Sequence, residues 1–213
     1  MIASRLTSAD VLQPATDEEL ASRQPALRRE AGELLAELER SGIFADLGPL
    51  LVTGSYVSNL MCWRDLDVGL LVGADYSPRD VVQLIARIVE IQGVTAFDYR
   101  DERGERSPTA DVRDERYHVP FLLDHGDGTW RVDLSLWLHD PHANVAAWHE
   151  DLRDSITAEQ RAAVLRIKDV WHRLPSYPDH VGGFEIYSAV IDDGVRTPDQ
   201  FRRWLADRGL LEA

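Results

Sequence analysis

Two aspartates separated by one residue, Asp65 and Asp67, lie in a run where Leu66, Val68, Leu70 and Val72 take the intervening positions. Alternate side chains of an extended strand share a face, so the apolar residues point one way and both carboxylates the other. Aspartate is depleted in strands, and its recurrence there calls for a reason. A third acid, Asp133, occupies a similar run in which Val132, Leu134, Leu136 and Leu138 alternate inward, leaving Arg131, Asp133 and Ser135 opposite. Carboxylates brought close together repel unless cations neutralise them. Hard divalent cations take oxygen ligands, and paired carboxylates on a strand can hold one or two such ions at the phosphates of a nucleotide. Upstream, the apolar run Leu50-Leu51-Val52 stops at Gly54-Ser55, and nine residues separate Ser55 from Asp65. Gly54 lets backbone approach phosphate oxygens, while Ser55 and a following helical turn offer hydroxyl and N–H donors. Together these residues suit phosphoryl transfer. Asp124 and Asp127 are other acids that can serve as the third ligand, and strand alternation favours Asp133.

The surrounding pattern supplies elements to position these groups. Thr16 with Glu19 forms a capping box ahead of Leu20, Leu27, Leu34, Leu35 and Leu38, which predicts a helix over about 17–41 ended near Gly42. Leu50–Val52 reads as a buried strand entering a tight turn, and Asp65–Val72 as a second strand. Ser77-Pro78 opens a helix with Val81, Leu84, Ile85 and Ile88 on its apolar stripe, closed by Gly93. A strand over Val94–Tyr99 precedes a charged stretch, Arg100–Arg116, that reads as an exposed loop. Tyr117–Leu123 and Thr129–Leu138 form a hairpin through Asp124-His125-Gly126-Asp127-Gly128. Beyond about residue 143 strand signals vanish. Thr157 with Gln160 caps a helix striped by Val164, Ile167, Trp171 and Leu174, a second helix spans Gly183–Asp192, and Thr197-Pro198 opens a last one reaching Arg208.

Composition narrows the function classes. A chain of 213 residues fits one domain or a catalytic domain with a smaller appendage. No apolar run is long enough for a membrane span, and the first twenty residues carry Arg5, Asp10, Asp17 and Glu18 without the apolar segment of a signal peptide. Cys62 is the sole cysteine, which rules out an internal disulfide, and a cytoplasmic location is expected. The net charge of −14 repels a phosphate backbone, making nucleic acid an unfavoured partner and a cationic or neutral acceptor a better one.

The Leu-Val-Thr-Gly-Ser lead-in, the Arg64-Asp65-Leu66-Asp67-Val68 segment and the distant Asp133 resemble the DNA polymerase β superfamily of nucleotidyltransferases over roughly residues 45 to 138. Order, spacing and strand context carry the resemblance, since a lone Gly-Ser or Asp-x-Asp is weak. It implies an α+β fold: a small mixed β-sheet nucleotidyltransferase domain flanked by helices, including the N-terminal one, over residues 1–142, and a C-terminal helical region over 143–213. It also implies a reaction, in which ATP or another NTP gives its nucleoside monophosphate to a hydroxyl and releases pyrophosphate. Carried over by position, Asp65, Asp67 and Asp133 are metal ligands for Mg2+ or Mn2+ and the catalytic acids, with Asp133 also helping to deprotonate the acceptor. Gly54 and Ser55 contact the triphosphate. Lys168, the only lysine, lies at the border of a helical apolar stripe from which an ammonium can reach the triphosphate, as a basic residue after the sheet does in some relatives.

Other residues read more plainly. His139 and His142 flank Asp140-Pro141 in a turn and lack the Cys or His partners of a zinc set. Arg64 fits an ion pair with a neighbouring acid, Glu115 has no positional constraint as a general base, and the tryptophans suit packing better than base stacking. Within the resemblance, the enzymes that nucleotidylate aminoglycosides and lincosamides fit the size and acidity, which favours a small-molecule acceptor. Antitoxins that nucleotidylate a partner protein tend to be shorter. RNA-directed members are disfavoured by charge and by the lack of a basic, aromatic-rich stripe. A noncatalytic nucleotide-binding regulator would have no need of three aspartates.

Overall fold

The alternating segments become one mixed six-stranded sheet in the computed structural model, which describes residues 14–140, 144–178 and 180–210. Across the sheet run β1 (Leu50–Val52), β2 (Asp65–Leu71), β6 (Gly128–Trp137), β5 (Arg116–His125) and β3 (Val94–Phe97), and β4 (Arg100–Glu102) also pairs with β5. β2 and β6 are parallel, and every other pairing is antiparallel. The fold is α+β, as the sequence suggested. By their contacts the residues divide into two compact units. One is Ala26–Asp154, which holds the whole sheet, and the other combines the described part of Met1–Pro25 with that of Ser155–Ala213.

In the sheet unit, one face carries Leu66, Val68 and Leu70 from β2, Val132, Leu134 and Leu136 from β6, and Tyr117, Val119, Phe121 and Leu123 from β5, all buried. Leu27, Ala31, Leu34 and Leu38 of α1 (Asp17–Arg40) and Val81, Leu84 and Ile88 of α3 (Pro78–Ile88) close over the same core. Each such side chain stabilises the fold by about 1.5–3 kcal/mol on leaving water, so this face dictates strand register. Entry to α3 is fixed locally: the Asp80 carboxylate accepts from the Ser77 amide at 2.9 Å and the Ser77 hydroxyl at 2.6 Å. The helix α1 contains Pro25, which has no amide hydrogen to donate, and the division between units falls at that residue.

Two stretches differ from the sequence reading. Within the supposed loop Arg100–Arg116, residues Arg100–Glu102 form β4, and Arg116 opens β5. Asp, Arg and Glu give no apolar alternation, and the strand exists because a longer β5 offers it backbone partners, with Arg116 reaching Glu102 at 2.6 Å. A helix, α4 (Asn144–Ser155), occupies a segment for which only the absence of strands was expected.

The helical unit contains α5 (Ala158–Trp171), α6 (Gly183–Ile191) and α7 (Pro198–Asp207). The capping boxes form: Thr157 and Gln160 exchange bonds at 2.9 and 3.2 Å, and Thr197 and Gln200 both at 3.2 Å. Trp171 meets Phe201 edge to face at 5.1 Å. Asp169, wholly buried, accepts from the Ala15 amide at 2.9 Å, from Arg23 at 2.6 Å and from Arg173 at 2.8 Å. No helix among the described residues is long and apolar enough to cross a membrane.

Burial alone would raise the Asp169 pKa, but the Ala15 amide and the two arginines hold it below the ordinary 3.8. Its contribution to stability is therefore complete above 3.8 and lost as pH falls through the lower folded value. Asp169→Asn should destabilise the protein at pH 7 by about 1–3 kcal/mol. It should also flatten the fall in melting temperature on acidification below 3.8, read from melts of both proteins across pH.

Candidate active site

Parallel pairing of β2 with β6 sets the geometry of the site. Asp65 stands opposite Arg131, Asp67 opposite Asp133, Gly69 opposite Ser135 and Leu71 opposite Trp137. Because the intervening residues fill the core, these pairs share the other face of the sheet. On β5 the same face continues with Arg116, His118 and Pro120, which pair with Trp137, Ser135 and Asp133. Of the three acids weighed as third ligand, Asp133 alone stands in register with Asp67. Asp124 lies four residues further along β5 than Asp133's partner Pro120, about 13 Å at strand spacing, where it accepts from Thr129 at 2.6 Å. Asp127 falls in the hairpin turn beyond it.

The Gly-Ser turn abuts the same cluster. β1 is antiparallel to β2, and the chain leaves it through Thr53, whose amide donates to Asp67 O at 3.3 Å. Gly54 follows with φ +67°, a conformation that disfavours any residue with a Cβ. A Cβ at this position would also lie 1.7 Å from Asp67 Oδ2 and 2.5 Å from its Cγ. Backbone therefore packs directly against the Asp67 carboxylate, an approach that only glycine allows. Ser55, buried, is the second residue of the short turn α2 (Gly54–Val57), and Ser58 N and Oγ return to Gly54 O at 3.2 and 3.1 Å. Arg28 of α1 secures this turn by donating to Tyr56 O at 3.1 Å, with its guanidinium 5.1 Å from the Tyr56 ring.

Asp133 is engaged at both carboxylate oxygens. Its Oδ1 meets His118 Nε2, and its Oδ2 receives Arg131 Nε at 3.1 Å and Nη2 at 3.0 Å. Burial opposes ionisation, but His118 and Arg131 outweigh it and hold the Asp133 carboxyl at about 2. His118 is itself buried, and its Nδ1 lies 3.8 Å from Glu102 Oε1. Glu102 pairs with Arg116, which donates to Ser135 Oγ at 3.1 Å and lies 5.0 Å from the Trp137 ring centre. Trp137 packs against Gly69, where a Cβ would come within 2.9 Å of the indole nitrogen. Neither His118 nor Arg131 stood out in the sequence as a partner of Asp133. The signal was present, since both occupy positions that alternate with core residues on strands carrying the site face.

Remaining candidates are placed as follows. Arg64 pairs with Glu30 at 3.0 Å, Glu115 accepts from the Gly104 amide at 2.8 Å, and His139 lies 3.8 Å from Glu115. His142 lies outside the described residues. Lys168 belongs to the helical unit, where it is buried, donates to Tyr187 Oη at 3.3 Å and lies 5.6 Å from the Tyr187 ring centre.

The donor chemistry fits a hard divalent cation: carboxylate oxygens on adjacent strands beside a glycine cradle, with the third acid held ionised. Among the described residues, no three or more His, Cys, Asp or Glu side chains stand together in a group that could hold a metal ion. Both oxygens of Asp133 are engaged, by His118 and Arg131.

No family model and no curated protein matches the sequence. Solved structures do share the fold. A cytoplasmic RNA terminal U-transferase aligns at 14% identity with a TM-score of 0.50, covering 82% of this chain and 54% of its own. A chain of the non canonical poly(A) polymerase complex GLD-2–GLD-3 aligns at 11% identity and TM-score 0.52, covering 82% of this chain and 57% of that one. The GLD-2/RNP-8 complex gives 11% identity and TM-score 0.54, over 91% and 72%. This chain thus spans a little over half the length of the first two. At such identities the likeness shows a shared fold.

Gly54→Ala should therefore act twice, by placing a side chain at positive φ and by displacing Asp67. The expected result is a loss of at least about 1–2 kcal/mol in urea denaturation, from the left-handed backbone alone.

Proposed function

We propose that this protein is a metal-dependent nucleotidyltransferase that moves a nucleoside monophosphate from an NTP, with ATP the first choice, to a hydroxyl and releases pyrophosphate. The observation that carries this reading is the in-register placement of Asp67 beside Asp133 on parallel strands, with the Gly54 backbone against Asp67. A nucleotidyltransferase-type fold shared with a terminal U-transferase and poly(A) polymerases supports it.

In this reading Asp65, Asp67 and Asp133 hold Mg2+ or Mn2+, which when bound neutralises the triphosphate and stabilises charge on the entering and leaving oxygens. The Gly54 turn receives phosphate oxygens, with Ser55 beside them. Asp133 lines up the acceptor hydroxyl for in-line attack at the α-phosphorus. A carboxylate held at about 2 is a weak proton acceptor, so its part in the attack is chiefly orientation. The new phosphorus–oxygen bond forms as the bond to pyrophosphate breaks and the acceptor's hydroxyl proton passes to solvent water, without a covalent enzyme intermediate.

A small-molecule hydroxyl, as on an aminoglycoside- or lincosamide-like compound, suits the net charge of −14. An RNA 3′ end is the second reading, favoured by the RNA-directed activity in the name of the U-transferase that shares this fold.

Pyrophosphate release should be metal-dependent with one acceptor from a panel of aminoglycosides, lincosamides, RNA 3′ ends and proteins. Asp65→Asn and Asp67→Asn should each lower it by at least about 10²-fold with the fold retained by circular dichroism. If NTP binding persists without metal dependence and no acceptor supports turnover, a nucleotide-binding regulator becomes the better description.

A further inference from the structure

Arg131 and Asp133 are two residues apart on β6 and share a face, and across the parallel pairing they stand opposite Asp65 and Asp67. The site is thus a block of four side chains, three carboxylates and one guanidinium. That guanidinium puts two nitrogens on a single oxygen, Asp133 Oδ2, at 3.0 and 3.1 Å, while Asp65 acts on it electrostatically from the neighbouring strand. Oδ1 of the same carboxylate is held by His118, whose side chain is 9% exposed, against 32% for Arg131. Of the two groups on Asp133, Arg131 is therefore the more open to solvent.

We propose that Arg131 is a resident counter-ion that competes with the divalent cation for Oδ2 of Asp133, so that metal entry requires this ion pair to open. The inference rests on reading the three aspartates as a metal site. Without a metal ion, the guanidinium offsets one of three negative charges and lessens their mutual repulsion. The same contact keeps an otherwise available ligand oxygen occupied, so the protein exchanges one cation for another and binds metal more weakly than three free carboxylates would. Arginine suits the role because it stays charged at all relevant pH and is more weakly hydrated than lysine, hence stable at a partly buried carboxylate.

The test uses Mn2+ alone, titrated into the full chain without nucleotide, with free Mn2+ followed by electron paramagnetic resonance and heat by calorimetry. Arg131→Gln should tighten Mn2+ binding by about tenfold or more, as expected when a cation a few ångströms from the site is removed. Arg131→Lys, which keeps a charge but lacks the fork, should fall between wild type and Arg131→Gln. Unchanged or weaker binding in Arg131→Gln overturns the inference, as does lysine behaving like glutamine, since charge would then not be the competitor. If neither wild type nor Arg131→Gln binds Mn2+, or if Asp67→Asn leaves binding intact, the metal reading of the aspartates itself fails. That outcome is distinct from the failure of Arg131 to compete, which leaves the metal site standing.

Discussion

The parallel pairing of β2 with β6 is the constraint on which the rest of the site depends. Parallel neighbours cannot be joined by a hairpin, so the chain makes α3, β3, β4 and β5 between them before β6 returns to β2's side. Leu66, Val68 and Leu70 facing the same core as Val132, Leu134 and Leu136 then lock the alignment, because a slip of one residue would turn the apolar set outward. Asp67 beside Asp133 is a consequence of that alignment. Burial on one face forces together like charges on the other, and the protein must offset a repulsion that it could not avoid without giving up its core.

The offset is local. Although the chain carries a net charge of −14, Asp133 sits between His118 and Arg131, and Glu102 behind them is matched by Arg116. These pairs lie on partly covered sheet surface, where screening by water is weaker than at exposed ion pairs. The result is a third carboxylate that is ionised and fixed before any ligand arrives.

The elements that hold the aspartates were legible because they obey period-two alternation, and the helices because capping residues mark their starts. Alternation also favoured Asp133, though only pairing distinguishes it from Asp124 and Asp127, since register is a relation between strands that a single strand's pattern does not contain. β4 escaped notice because Arg100, Asp101 and Glu102 are held by partners on β5 rather than by their own apolar periodicity. His118 and Arg131 escaped for a related reason: Arg131 was visible as a polar-face residue and His118 was not singled out, and the meaning of each depends on which acid lies beside it. Lys168 shows the converse, where a helical stripe indicated a border position and the side chain is fully enclosed beside Tyr187. Helical periodicity reports direction, and depth is decided by what packs over it.

The glycine at 54 has an implication for how such a chain can change over generations. Two separate demands act there, a left-handed backbone and the carboxylate of Asp67 immediately overhead. In a lineage released from its chemistry, Asp67 can drift to a smaller residue and lift the second demand, but the first persists as long as the turn does. Glycine at this position should therefore outlast the aspartates. In a distant descendant its presence would be a record of the backbone's shape, and only its company would speak for activity.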